Sequence, residues 1–367
     1  MAYKNNPLDD IVKMTIDISR PAVDDAVFDT ILMIVAAPSG SGKKEMTKTT
    51  AVSSADELLD YGFTVEDEAY KACTAAFSQS PSPDAIEVCI RKKTGEPDTY
   101  EDIKTTLARA KSEAAFYGIV LVGFDKADDI KSCTEWTEAN EKIFGFGYSN
   151  FEDMPLKNTS YLRTYAVYTG EADGYEAVAQ PDTNKYIPLG IMAKCFGYDP
   201  GTETWNLKSL STFVPCALST DQKKTLKEDC INMFLRYAGD NVFMGGKMIG
   251  DEWIDVIRYR DYLKNRMQVN VFNVLKVNRK VPFENEGIAL IKGAMEKTLA
   301  EGQSIGGIAN DEFDSNDEKV EGYTITVPNV FDLTESERKS RVLSGVKWTA
   351  RLAGAIHEVT IQGNLTF

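Results

Sequence analysis

Ala36-Ala37-Pro38-Ser39-Gly40-Ser41-Gly42-Lys43-Lys44 comes nearest to phosphate chemistry: an apolar run leads into closely spaced glycines and lysines. A phosphate-cradling loop needs glycine at its first position, where the backbone wraps the anion, and Ser or Thr after the lysine to hold magnesium. Ala37 and Lys44 occupy those two places, and Pro38 removes a backbone donor. The stretch therefore reads as a flexible basic loop spanning Pro38–Lys48, with a P-loop-like nucleotide-binding enzyme kept as the alternative. His357 is the only histidine, so any Ser-His-Asp or Cys-His mechanism would have to use it. No partner constellation surrounds it in sequence, and a structural role is expected.

The remaining titratable groups give no sharper signal. Asp9-Asp10, Asp24-Asp25, Asp128-Asp129 and Asp251-Glu252 have the residue types for glycoside hydrolysis or cation binding. With 56 carboxylates in the chain, such pairs are expected by composition, and several fall where helices start. Asp311–Asp317 lacks the glycine and terminal glutamate of a calcium loop. Cys73, Cys89, Cys133, Cys195, Cys216 and Cys230 contain no CxxC pair and read as reduced core residues. No catalytic residue, cofactor or metal site is expected.

Composition argues for a folded protein rather than a disordered one, and against a nucleic-acid or membrane binder. Hydrophobic residues make up 43% of the 367 and charged residues 26%. Lys and Arg total 41 against 56 acidic residues, a net charge of −15 that repels phosphate backbones and anionic lipid. No apolar segment approaches the roughly 20 residues that span a bilayer. The first residues, MAYKNNPLDD, lack the basic and apolar regions of a signal peptide.

Element patterns give a mixed α/β (α+β) chain. Thr30–Ala37, Ala85–Ile90 and Gly118–Gly123 read as buried strands; Glu66–Phe77, Tyr100–Phe116 and Asp128–Ile143 read as helices. Tyr161–Tyr168 and Tyr186–Ala193 look like strands, and Thr220–Tyr237, Asp251–Lys264 and Glu284–Ala300 like helices. Tyr323–Val327 reads as a strand, and Thr334-Glu335-Ser336-Glu337 as a capping box opening a short helix.

The two ends carry the clearest patterns. Over Val12–Ser19 the even positions Val12, Met14, Ile16 and Ile18 are apolar and the odd positions polar. Over His357–Phe367 the apolar row is Val359, Ile361, Leu365 and Phe367, interrupted only by Gly363. Period-2 alternation marks half-buried strands. Such terminal strands either pair as edges of their own sheet or add to a neighbour's sheet. The second choice gives head-to-tail contacts, which close into rings or extend as helical filaments.

Several segments carry a family resemblance. They are Gly250-Asp251-Glu252-Trp253-Ile254-Asp255, Lys280-Val281-Pro282-Phe283 with Glu286-Gly287-Ile288, and Arg338-Lys339-Ser340-Arg341 followed by Ala353-Gly354-Ala355-Ile356-His357 and the terminal strand. In order and spacing they resemble the tail sheath proteins of contractile phages, in a divergent branch. A fainter likeness rests on Ser53-Ser54-Ala55-Asp56-Glu57-Leu58-Leu59 and Glu68-Ala69-Tyr70-Lys71-Ala72-Cys73. The resemblance implies a multi-domain sheath-type fold: an N-terminal arm (1–20), an α/β domain (21–150), a variable middle region (151–245), a C-terminal sheath core domain (246–355) and a C-terminal arm (356–367). It implies a structural subunit, not an enzyme, that polymerises with itself around a tail tube protein and meets baseplate and tail terminator proteins; another phage tail assembly protein is the alternative within this class. Nucleic acid and membrane are not among the implied partners. The subunit would be made in a bacterial cytoplasm and reside in a virion tail or phage-tail-like particle. Arg338, Lys339 and Arg341 then become the candidate tube contact.

Overall fold

The computed structural model describes residues 26–95, 99–152, 154–156, 160–170 and 182–365. Its centre is β1 (Ile31–Val35), in which all five residues are buried. Continuous apolarity is what a strand covered on both faces requires. Ile31, Met33 and Val35 point into one core, and Leu32 and Ile34 into another on the opposite face. In chain order follow β2 (Thr50–Val52), β3 (Ile86–Ile90), β4 (Gly118–Leu121), β5 (Ile143–Tyr148), β6 (Thr164–Tyr168), β7 (Asn232–Tyr237) and β8 (Asp240–Met244). They form one eight-stranded sheet in the order β2-β3-β1-β4-β5-β6-β7-β8. From β3 to β7 neighbours run parallel, and β2 and β8 close the two edges antiparallel.

Helices cover both faces. α1 (Glu57–Asp60), α2 (Glu68–Phe77) and α5 (Ile187–Phe196) pack with the first core. α3 (Ile103–Glu113), α4 (Ala127–Ala139) and α6 (Thr220–Glu228) pack with the second. Three expected elements of the sheet body differ. The expected strand Tyr186–Ala193 is helical, as a 3-10 turn followed by α5, with nine of ten α5 residues buried. The expected helix Thr220–Tyr237 is α6 alone, after which Asn232–Tyr237 turns into the β7–β8 hairpin. Asp128–Ile143 is α4 only to Ala139, and Ile143 already begins β5.

The long α7 (Ile254–Val277) leaves the sheet body. Ile254 and Ile257 belong to the first core, whereas Tyr259, Leu263, Met267 and Val271 build a third core with α8 (Asn285–Ser304). This C-terminal module is completed by β9 (Glu312–Phe313), β10 (Lys319–Val320), β11 (Tyr323–Thr326), the short α9 (Glu335–Ser340) and β12 (Lys347–Ala350). β11 and β12 form a separate two-stranded antiparallel sheet. Tyr323, Ile325, Trp348 and Ala350 pack on α7 and α8, and Thr324, Thr326, Lys347 and Thr349 lie on the opposite face.

A polar ladder on α7 fixes the helix to the body. Arg258, Asp261 and Lys264, spaced three apart, lie on one helix face. Arg258 pairs with Glu203 at 2.5 Å, both side chains fully buried. It also donates to the carbonyls of Phe28, Cys195 and Tyr198. Asp261 takes two bonds from Arg163, at 2.6 and 3.0 Å, and one from Tyr117 at 2.8 Å. Lys264 reaches Glu141 at 3.2 Å. Tyr117, Glu141 and Arg163 lie just before β4, β5 and β6, so α7 crosses the N-terminal ends of the parallel strands.

At the start of α7, Asp255 has a buried carboxylate oxygen without a partner among the described residues. Burial, with the Glu203 carboxylate nearby, pushes its pKa up to about 6. The folded state then holds this proton more tightly than the unfolded chain, so the group's cost is fully present above pH 6 and fades as pH falls towards its unfolded value. Asp255→Asn should raise stability at pH 7.5 by roughly 1–2 kcal/mol. That gain should fall to about a third by pH 4.5, as read from urea unfolding at the two pH values. An equal gain at both would mean that ionisation of Asp255 is not its source.

Candidate assembly surfaces

The Pro38–Lys48 loop emerges from the C-terminal end of β1 and leads into β2, not into a helix. A phosphate loop delivers its backbone N–H groups to a helix N-terminus. Here the Gly40 N–H donates to the Gly62 carbonyl at 3.0 Å and the Lys44 N–H to the Asp60 carbonyl at 2.9 Å. Lys43 and Lys44 both pair with Asp60, at 3.3 and 3.5 Å. The loop borders a cavity of about 460 Å³ lined by Gly40, Gly42, Lys43, Lys44 and Tyr61. Its glycines serve packing: a Cβ on Gly42 would sit 2.4 Å from the backbone of Tyr61 and Gly62. Two of the loop's N–H groups and both lysines are engaged within the chain, and nothing in this geometry favours the nucleotide-binding alternative.

The other chemical candidates resolve into structural contacts. Asp128 and Asp129 occupy the first turn of α4, and Asp129 forms a two-pronged pair with Arg91 at 2.7 and 2.8 Å. Asp251 pairs with Lys247 in a turn of positive φ. Asp311 pairs with Lys319 at 2.9 Å and accepts the Gly322 N–H; together these hold its pKa at about 2. Asp9-Asp10 and Asp24-Asp25 lie outside the described residues. Among the described residues no group of three or more His, Cys, Asp or Glu could hold a metal ion, and no helix is long and apolar enough to cross a membrane. The cysteines are free thiols, five of them buried and Cys230 half-buried. Burial pushes the thiol pKa values of Cys73 and Cys216 up to about 12.

The terminal segments place the expected assembly residues. Val12, Met14, Ile16, Ile18 and Phe367 lie outside the described residues. Val359, Ile361 and Leu365 are 70%, 87% and 96% exposed. The expected strand over this segment is not formed: 353–365 has no ladder partner among the described residues. A strand exists only by pairing, and none of the described edges is supplied to it. Arg338, Lys339 and Arg341 are solvated on and just after α9. Thr334 caps that helix through the expected reciprocal bonds with Glu337. Lys339 pairs with Glu335 at 2.8 Å, and Arg341 ends the helix in a left-handed conformation.

The base of the C-terminal segment is tied to the body. His357 Nε2 lies 2.8 Å from Thr204 Oγ1, and the imidazole meets the Trp253 ring edge-on, centroids 4.4 Å apart at 83°. Burial and nearby Lys208 lower the imidazole pKa. Glu358 pairs with Lys227 of α6 at 3.3 Å. Sequence reasoning missed this contact, as it missed the α7 ladder. The only local signal was an isolated histidine ahead of an alternating run.

The described residues thus give a mixed sheet between helical layers, a long helix leading to a small module with a two-stranded sheet, and an exposed apolar tail. Residues 254–365 match the family model described as E217 tail sheath protein gp31-like, C-terminal domain, and bear out the resemblance read from the last third of the sequence. Across nearly the whole chain the fold is similar to solved sheath structures. The helical sheath of the anti-feeding prophage in its contracted state gives a TM-score of 0.68 at 12% identity, over 96% of this chain and 98% of that one. The contracted PVC sheath complex of an extracellular contractile injection system gives 0.63 at 12%, over 95% and 98%. A sheath tail protein from Listeria innocua gives 0.54 at 10%, over 81% and 88%. Among curated proteins none matches by sequence.

Proposed function

We infer that this chain is the structural subunit of a contractile sheath: it polymerises helically around a tail tube and shortens to drive that tube through a target envelope. The observation that carries the reading is the exposed apolar row Val359, Ile361 and Leu365 on a chain whose β11–β12 sheet has two open edges among the described residues. Two such edges suit two alternating arm sequences, Val12–Ile18 and Val359–Phe367, supplied by neighbouring copies. Strand addition provides main-chain hydrogen bonds for affinity and alternate side chains for register. The arms then stay paired while the bodies reorient as rigid units. Arg338, Lys339 and Arg341 are assigned to the tube contact, where a solvated cationic turn on an acidic protein meets an acidic surface. Tube, baseplate and terminator are the partners of such a subunit, its place is a virion tail or phage-tail-like particle, and its role is mechanical.

Cross-linking tests the reading. In a Cys230→Ser background, Ile361→Cys should form intermolecular disulfides with Thr324→Cys on β11 or Thr349→Cys on β12. These should appear only under conditions that yield tubes by electron microscopy. Cross-links to neither edge in assembled tubes would rule out strand addition at this sheet.

A further inference from the structure

Before the exposed row begins, the C-terminal segment is held at one place. The Ala353 N–H still bonds to the Gly307 carbonyl at 3.2 Å. Gly354, Ala355 and Ile356 are then exposed, with Ile356 at 84%. His357 turns inward onto Thr204 and Trp253, and Glu358 reaches Lys227. These contacts come from three separate parts of the body: the loop after α5, the turn before α7, and α6. Trp253 is itself fixed, with the Lys247 ammonium 4.9 Å from its ring centroid. Beyond Glu358, Val359, Ile361 and Leu365 stand in solvent.

We propose that Thr204, Trp253 and Lys227 form a seat for His357 and Glu358, and that this seat fixes where the arm leaves its own body and so selects the copy the arm joins. The proposal deepens the arm-exchange reading and rests on it. With the seat filled, the free arm runs from Val359 to Phe367, nine residues with a reach of ~30 Å when extended. With the seat empty it starts after Ala353, and fourteen residues reach ~45 Å. A tether concentrates its end on sites matched to its length and barely samples those beyond its span. A seated arm therefore favours one neighbour, and a released arm admits several. The contacts are polar and aromatic, so the seat binds the arm's base without covering the apolar row that a neighbour must bury.

The test uses the full chain with Cys230→Ser and spin labels at Lys224→Cys and Val359→Cys. Before assembly, double electron–electron resonance should give one narrow distance distribution. Thr204→Val with Lys227→Ala should broaden it at least twofold. His357→Ala with Glu358→Ala should do the same from the arm side, where no change disturbs the folded body. After assembly, electron microscopy should show one helical lattice for the parent and mixed pitch or diameter for both seat variants. A parent distribution as broad as that of the variants would overturn the seat. Variants that assemble on the parent's single lattice would overturn its role in choosing neighbours. A parent that never polymerises would sink the arm-exchange reading and that role with it, while a narrow distance would still uphold the seat.

Discussion

A chain ending at Glu358 should fold as stably as the full chain and fail to polymerise. Val359, Ile361 and Leu365 are 70–96% exposed, so the isolated fold gains almost nothing from them. Buried against a neighbour, each aliphatic side chain is worth roughly 1.5–3 kcal/mol. Ordering the arm returns part of that gain, at about 1–2 kcal/mol for each backbone residue fixed. The new ladder's hydrogen bonds and the cooperativity of a lattice offset the loss. Each 1.4 kcal/mol is a tenfold change in an equilibrium constant, so the critical concentration should rise by at least ~100-fold. On the proposed arm exchange, removing 1–20 should act in the same direction, because a neighbour's other sheet edge would go unfilled. Light scattering against concentration, with circular dichroism melting on the same samples, reads both halves of the claim. A truncated chain that polymerises at the parent's concentration would exclude arm exchange. One that melts many degrees lower would mean the segment belongs to its own fold.

Arg258→Met should be the most damaging single substitution in the body. The guanidinium is fully buried, and it satisfies Glu203 together with the carbonyls of Phe28, Cys195 and Tyr198. Its cation also lies 4.8 Å from the centroid of the Phe196 ring. Methionine fills part of the space but leaves a buried carboxylate unpaired, a loss of about 3–5 kcal/mol. Whole proteins have about 5–15 kcal/mol of stability, so soluble yield should fall sharply. Arg258→Lys should recover little, because a single ammonium cannot span the forked set of acceptors. Arg258→Met combined with Glu203→Leu should recover most of the loss, since both charges then leave the interior together. Guanidinium unfolding midpoints measure all three. A loss below about 1 kcal/mol for Arg258→Met would show that the pair does not hold α7 to the body.

Why the sequence revealed the ends and not this clamp follows from what periodicity can encode. β1, β3 and β4 are short apolar runs, and α2, α3 and α8 carry apolar stripes on one side. Those residues meet the core by hydrophobicity alone, so their positions could be read directly. α5 is buried nearly all round, which erases any stripe, and the apolar pattern over Tyr186–Ala193 reads as a strand. Pro188 was the overlooked signal: it suits the first turn of a helix and would remove a ladder donor in a central strand. The strands of the β7–β8 hairpin were hidden behind the polar run of α6.

The alternating rows at the two ends, the missing residues of a phosphate motif and the acidic charge balance were determined by the sequence itself, because each is a property of residue type and local spacing. Whether the C-terminal row pairs at home could be seen only in three dimensions, since a strand needs an edge and the described residues supply none to it. The α7 ladder and the His357 seat also belong to the tertiary structure. Arg258, Asp261 and Lys264 look like a solvated helix face until Glu203, Arg163 and Glu141 arrive from distant parts of the chain. A charge is tolerable in the interior only where such partners meet it, and no local pattern records where they are.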